Sequence, residues 1–287
     1  MPLPGIYGVD FAQEGYMEVR ARFYRRYDVD SSADVPAESI LGWGERMLDV
    51  PIDESMLVCM HFWNIGLDER LPYGRDVPYA GWYRTSEYIK RTIPITRDVM
   101  PPLLAAARAG GMAVGHVGIG PFATKYSGYA YAEEVAGPAP PPPAGGPESA
   151  LREEWQRGRG AETCGEHNLA ALSEASPLVD FPEQVMPQDD EPVVISSHQL
   201  NAVCRQRGIW HLIYCGFLIN ACIMNSPGGM VDMRRLGYFC TAVRDATTAG
   251  EIKETASQEW GKEVALSSVD YVFESSDLIT ALRQVSP

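Results

Sequence analysis

Residues 208–251, GIWHLIYCGFLINACIMNSPGGMVDMRRLGYFCTAVRDATTAGE, decide the fold of this chain. Ile209 to Cys215 is a short apolar run with a glycine on each side, the pattern of a strand buried on both faces of a parallel sheet. Gly216 closes it. Asn220 begins a helical stretch that runs to Gly237 with Cys222 in its first turn, and Tyr238 to Arg244 is a second buried strand ending at Asp245. Strand, turn, helix, strand in this order is a crossover unit of an α/β sheet. A thiol just past a strand's carboxyl end, facing the open N–H groups of a helix N-terminus, is placed for nucleophilic work; the plainer reading is that Cys222 packs, as most free cysteines do.

The rest of the chain repeats the same alternation. Upstream, Ser55 to His61 (SMLVCMH) reads as a strand, and the loop after it carries Trp63, Asn64, Tyr73, Tyr79, Trp82 and Tyr83, which suits a pocket wall or a subunit interface. Asp98 precedes the helix MPPLLAAARAGG, with Pro101 and Pro102 in its first turn and Gly110–Gly111 as its stop. Met112 to Ile119 is a strand with His116 inside it, Val193 to Ser197 is another, and Gln199 to Arg207 is a short helix closed by Gly208. Downstream, Thr248 and Glu251 have capping-box spacing before a helix. Tyr271 to Glu274 is the last strand and Ser276 to Gln284 a terminal helix. Six short strands among helices predict an α/β protein with a mostly parallel sheet covered on both faces.

Two segments stand outside this pattern. Residues 1–51, with the Arg- and Tyr-rich stretch GYMEVRARFYRRYDV read as a short helix, are expected to be an arm on the surface of the 52–287 domain or on a neighbouring subunit. Residues 124–190 are expected to be an insertion covering part of the site, with AGPAPPPPAGGPES extended and mobile and ALREEWQRG a short helix.

Composition narrows the function classes. With 287 residues, 45% hydrophobic and 22% charged, this is an ordinary globular chain, and a net charge of -14 argues against a nucleic-acid partner. No apolar run has the length of a membrane span and no leader pattern opens the sequence, so a cytoplasmic location without a membrane partner is expected. Six cysteines without a CxxC pair read as reduced thiols, and five histidines without metal-ligand spacing predict neither a metal nor another cofactor.

The run G-F-L-I-N-A-C-I, followed by a helix, L-G-Y, a strand and R-D-A-T-T-A, resembles the isochorismatase-like cysteine hydrolases. Gly216, Asn220, Cys222, Ile223, Gly237, Tyr238, Asp245 and Ala246 fall into register with that family's pattern, and the likeness extends less specifically over residues 52–284. The resemblance implies a three-layer α/β/α sandwich on a six-stranded parallel sheet. It makes Cys222 a nucleophile that attacks an amide-type carbonyl, puts a cis peptide at Phe217–Leu218, and forms an oxyanion hole from the backbone N–H groups of Leu218 and Cys222. It also implies a small-molecule substrate and a homo-oligomer.

The family's other two catalytic residues are replaced. Met60 or His61 stands where the resemblance implies an aspartate, and Ser196, Ser197 and His198 stand where it implies a lysine. Cys222 therefore needs another base. His61 is the first candidate and His198 the second, with Trp63, Asn64 and Ser197 as substrate-binding candidates. Each has a bland alternative: His61 a hydrogen-bonded structural residue, His198 a helix cap, Asn64 a turn residue. His116 reads as a satisfied core residue, Asp245 as a turn-former, and Lys125 as a distant substitute for the lysine. The rival functions are a non-catalytic binding or assembly module and a non-hydrolytic enzyme performing isomerisation or elimination.

Overall fold

A computed structural model describes residues 15–77, 86–141, 145, 148–188 and 190–285. Its centre is one eight-stranded sheet in the order β2-β1-β8-β7-β6-β3-β4-β5. The strands are β1 (Tyr16–Arg25), β2 (Gly42–Pro51), β3 (Ser55–Met60), β4 (Ala113–Val117), β5 (Val193–Val194), β6 (His211–Phe217), β7 (Phe239–Thr248) and β8 (Val272–Phe273). β3 to β8 are the six strands read from the sequence, and every pairing among them is parallel.

Side chains alternate between the two faces, as strand geometry requires. Leu57, Cys59, Ile213, Cys215 and Phe217 pack under the helices Met100–Ala109 and Ser275–Val285. Met56, Val58, Met60, Leu212 and Tyr214 pack under the helices Ser127–Ala136, Ser197–Arg207, Met230–Arg235 and Trp260–Leu266. This is the three-layer α/β/α arrangement. A third, aromatic-rich cluster containing Ile65, Leu71, Ile89, Phe122 and Phe181 gathers Trp63, Tyr73 and Tyr88 at its margin.

Four expectations are corrected. Residues 16–51 are not an arm: β1 and β2 form an antiparallel hairpin, and Ala21 and Arg22 pair with Phe273 and Val272 of β8. The apparent helix in GYMEVRARFYRR is a period-two strand, with Met17, Val19 and Ala21 buried and Glu18 and Arg20 exposed. The sheet therefore has eight strands rather than six. Second, the helix expected over 220–236 is two pieces, Cys222–Asn225 and Met230–Arg235. Pro227 has no N–H to donate and Gly228 sits at φ 78°, so the chain turns there instead of continuing.

Third, Thr248 ends β7 and opens no helix; Glu251 reaches forward to accept from the N–H groups of Gly261 (2.9 Å) and Lys262 (3.0 Å) at the start of Trp260–Leu266. Fourth, the 124–190 segment carries more helix than expected: ALREEWQRG lies within Ala150–Cys164, and Ser127–Ala136 and Glu166–Ala175 flank it. Part of its proline-rich stretch (142–144 and 146–147) lies outside the described residues. The helix after Asp98 begins earlier, at Ile89, and passes through a π-helical turn over Ile95–Val99 before Met100–Ala109. Pro101 and Pro102 cannot donate to the preceding turn, and Met100 N–H takes the Ile95 carbonyl in their place.

Gly216 is required where it stands. It sits at φ 113°, and a Cβ there would come within 2.0 Å of the Met60 carbonyl oxygen. That close approach brings the carboxyl ends of β3 and β6 together, and the candidate residues His61 and Cys222 lie just beyond them.

Candidate active site

β6 leads into the turn that carries Cys222. The Phe217–Leu218 peptide is cis, the position the family resemblance implies. Phe217 is anchored below the turn by an edge-on contact with Phe62, ring centroids 4.8 Å apart. Ile219 N–H donates to Thr248 O (2.9 Å), and Asn220 closes a reciprocal pair with Gly250: Nδ2 to the carbonyl at 2.8 Å and Oδ1 from the N–H at 3.0 Å. Ala221 (3.1 Å) and Ile223 (3.0 Å) both donate to Leu218 O. Among the described residues, no backbone carbonyl accepts from Leu218 or Cys222 N–H. The turn thus holds a half-buried thiol and two free backbone donors together. The helix that follows is one turn long, too short to add much of a dipole.

β3 runs beside β6, with Met60 opposite Gly216. Met60 is fully buried in the apolar cluster, so the position cannot serve as a base. His61, the next residue, sits at φ 53° and donates its backbone N–H to Val117 O (3.0 Å). A left-handed histidine is uncommon and marks a position whose conformation the surroundings impose. The residue is 8% exposed, and its ring stacks on Trp63 (centroids 6.5 Å) and leaves Nδ1 without a hydrogen-bond partner among the described residues. Burial pushes its pKa down to about 4, so at neutral pH it is an uncharged imidazole able to accept a proton.

The other sequence candidates are committed elsewhere. Asn64 is a clamp: Nδ2 donates to Asp68 Oδ2 and Leu178 O (both 3.1 Å), while Asp180 N–H donates to Oδ1 (3.0 Å). Ser197 donates to Asp232 Oδ2 and accepts from Gly228 N–H, both at 2.7 Å. His198 Nε2 binds Ala136 O (3.1 Å), tying its helix to the end of Ser127–Ala136. Lys125 pairs with Asp180. Asp245 accepts from the N–H and hydroxyl of Ser275 at the start of the last helix, rather than forming a turn. His116 binds Glu191 Oε2 at 2.8 Å in the core. Tyr79, Trp82 and Tyr83 lie outside the described residues. Cys222, Leu218, His61 and Trp63 thus stand at the ends of the two central strands, while Asn64, Ser197 and His198 hold the scaffold.

Sequence reading missed Tyr88. It lies at the start of Ile89–Pro94 and packs on Trp63 (centroids 6.4 Å). No local motif marks it, since only the fold brings that helix, through Arg91 Nε and Thr248 Oγ1, against the end of β7.

No protein-family model matches this sequence, and no curated protein does. Many of the solved structures similar to this chain are isochorismatase-family cysteine hydrolases. One is a cysteine hydrolase from Pseudomonas syringae pv. phaseolicola 1448A, with 15% identity over 82% of this chain and 95% of that one and a TM-score of 0.49. Another is an isochorismatase family protein from Desulfovibrio vulgaris subsp. vulgaris str. Hildenborough, with 18% identity, coverages of 81% and 97% and a TM-score of 0.42. A third is N-carbamoylsarcosine amidase from Thermoplasma acidophilum, with 15% identity, coverages of 77% and 96% and a TM-score of 0.38. Among the described residues no helix is long and apolar enough to cross a membrane, and all six cysteines are free thiols.

Proposed function

We propose that this chain is a cysteine hydrolase that cleaves a C–N, amide-type bond of a small molecule through Cys222. The observation that carries the reading is the nucleophile turn: one thiol and two backbone N–H groups, at Leu218 and Cys222, with no carbonyl already bound to either. Such a turn can attack a carbonyl carbon and receive the oxyanion that forms. Sulfur bonds to carbon as its proton passes to His61, the C=O pair moves onto oxygen, and collapse expels the nitrogen as an amine carrying that proton; water then resolves the thioester to the acid and the free thiol.

His61 is the proton acceptor in this scheme. It follows β3 immediately, beside the strand that leads to Cys222. An imidazole held near pKa 4 is a poor resting partner for a thiolate, so the proton moves to it as the S–C bond forms rather than beforehand. The test is a panel of small amides and ureas assayed for ammonia or amine release, with acyl-enzyme trapping by intact mass. Turnover that is lost in Cys222→Ala and accompanied by a trapped adduct supports the assignment. Turnover unchanged in Cys222→Ala refutes it.

A second reading, a binding or assembly module on the same scaffold, is favoured by the burial of apolar Met60 at a position where the family resemblance implies a carboxylate. It predicts tight binding of an amide without turnover.

A further inference from the structure

We propose that Arg91 is the positioning residue that keeps the two backbone donors of the nucleophile turn aimed at the oxyanion; this rests on Cys222 being the nucleophile. That role of the turn needs Leu218 and Cys222 N–H to stay open while the residues between them are held still. Residues 248–250, at the end of β7, do the holding. Thr248 O takes the Ile219 N–H (2.9 Å), and Gly250 takes both ends of the Asn220 amide (2.8 and 3.0 Å). Gly250 also lies against Leu218 itself, since a Cβ on it would stand 3.2 Å from Leu218 Cδ1. A shift of residues 248–250 is therefore a shift of the donors.

Arg91, on the helix Ile89–Pro94, fixes that segment. Its guanidinium donates Nε to Thr248 Oγ1 and Nη2 to Ala249 O, both at 2.9 Å. Nη1 and Nη2 also donate to the two carboxylate oxygens of Glu87, both at 2.7 Å. Glu87 Oε1 accepts in turn from Glu251 N–H (2.8 Å), so the pair grips the segment at both ends. The Arg91 side chain is 11% exposed, and Thr248 and Ala249 are buried, so water cannot replace these bonds. A rigid fork of N–H groups meets a hydroxyl, a carbonyl and a carboxylate at once, which an ammonium could not do. Glu87 neutralises the guanidinium, so Arg91 adds no net charge near Cys222. It acts on the place of the donors and not on the thiol.

The experiment compares two reactions of Cys222 in the full chain, in wild type and Arg91→Met. One is acylation by p-nitrophenyl acetate, read as p-nitrophenolate release; the other is alkylation by iodoacetamide, read by peptide mass. Acylation builds an oxyanion and alkylation does not. In Arg91→Met acylation should slow about 10- to 100-fold while alkylation stays within about twofold of wild type. Unchanged acylation overturns the proposal, and so does an equal fall in both reactions, which is what a merely structural role gives. Where Arg91→Met does not fold, Thr248→Val removes only the Oγ1 acceptor and should slow acylation about three- to tenfold with alkylation again unchanged; wild-type acylation in that variant overturns the proposal equally. Release lost in Cys222→Ala but untouched in Arg91→Met sinks the role of Arg91 alone, whereas release at the wild-type rate in Cys222→Ala sinks the nucleophile reading beneath it.

Discussion

Replacing Glu191 with alanine removes four hydrogen bonds at once. Its carboxylate accepts from Arg108 Nε (2.7 Å) and Nη2 (2.9 Å), His116 Nε2 (2.8 Å) and Gln188 N–H (2.9 Å), and is 5% exposed. Removing one member of a buried ionic cluster costs about 3–5 kcal/mol because the partners stay behind unpaired. Arg108 retains 25% side-chain exposure and can turn to water, whereas His116 is fully buried and cannot. The loss should therefore fall at the low end, about 3 kcal/mol, or roughly 6–12 °C in Tm for a chain of this size.

Burial pushes the Glu191 carboxyl up, but the bonds from His116 and Arg108 overcome it and bring its pKa from 4.5 down to about 2. Its stabilisation is thus complete above pH 4.5 and is lost as pH falls towards 2. Urea titrations followed by circular dichroism at pH 7, 4 and 2.5 measure both effects. Glu191→Ala should lack that acid limb. A loss below about 1 kcal/mol in Glu191→Ala, or an acid limb that survives the substitution, would refute the reasoning.

Two further outcomes follow from the same geometry. Gly216→Ala should either fail to fold or separate the ends of β3 and β6 and abolish activity, because its Cβ would meet the Met60 carbonyl at 2.0 Å; a wild-type melt with full activity contradicts this. His61 and His211, both held by burial near pKa 4 against 6.5, bind their protons in the unfolded chain first. Stability should fall from pH 6.5 towards 4 by up to about 3 kcal/mol per histidine, and a urea midpoint flat over that window would exclude it.

The sequence was most legible where burial on both faces writes an uninterrupted apolar run, so β3, β4, β6 and β7 and the place of Cys222 could be read directly. β1 was obscured because its outward positions carry Glu18, Arg20 and Arg22, which read as a charged helix until Met17, Val19 and Ala21 are seen to alternate with them. The broken helix after Cys222 was legible in Pro227–Gly228–Gly229, a punctuation outweighed by the periodicity around it. Side-chain commitments were not legible at all. Asn64 answers to Asp180 and Leu178 more than a hundred residues away, and nothing near Arg91 foretells Thr248.

The β1–β2 hairpin also has a consequence in time. Its buried face closes against β8 and the helix Ser275–Val285, with Arg20 bound to Asp277 across 257 residues and Arg22 to Glu274 across 252. At about 5–20 residues per second of synthesis, Met17, Val19 and Ala21 wait roughly 10–50 seconds for their partners to emerge. Glu18, Arg20 and Arg22 on the opposite face keep the waiting ribbon charged, so the same arginines that later make ion pairs first guard an unfinished sheet edge.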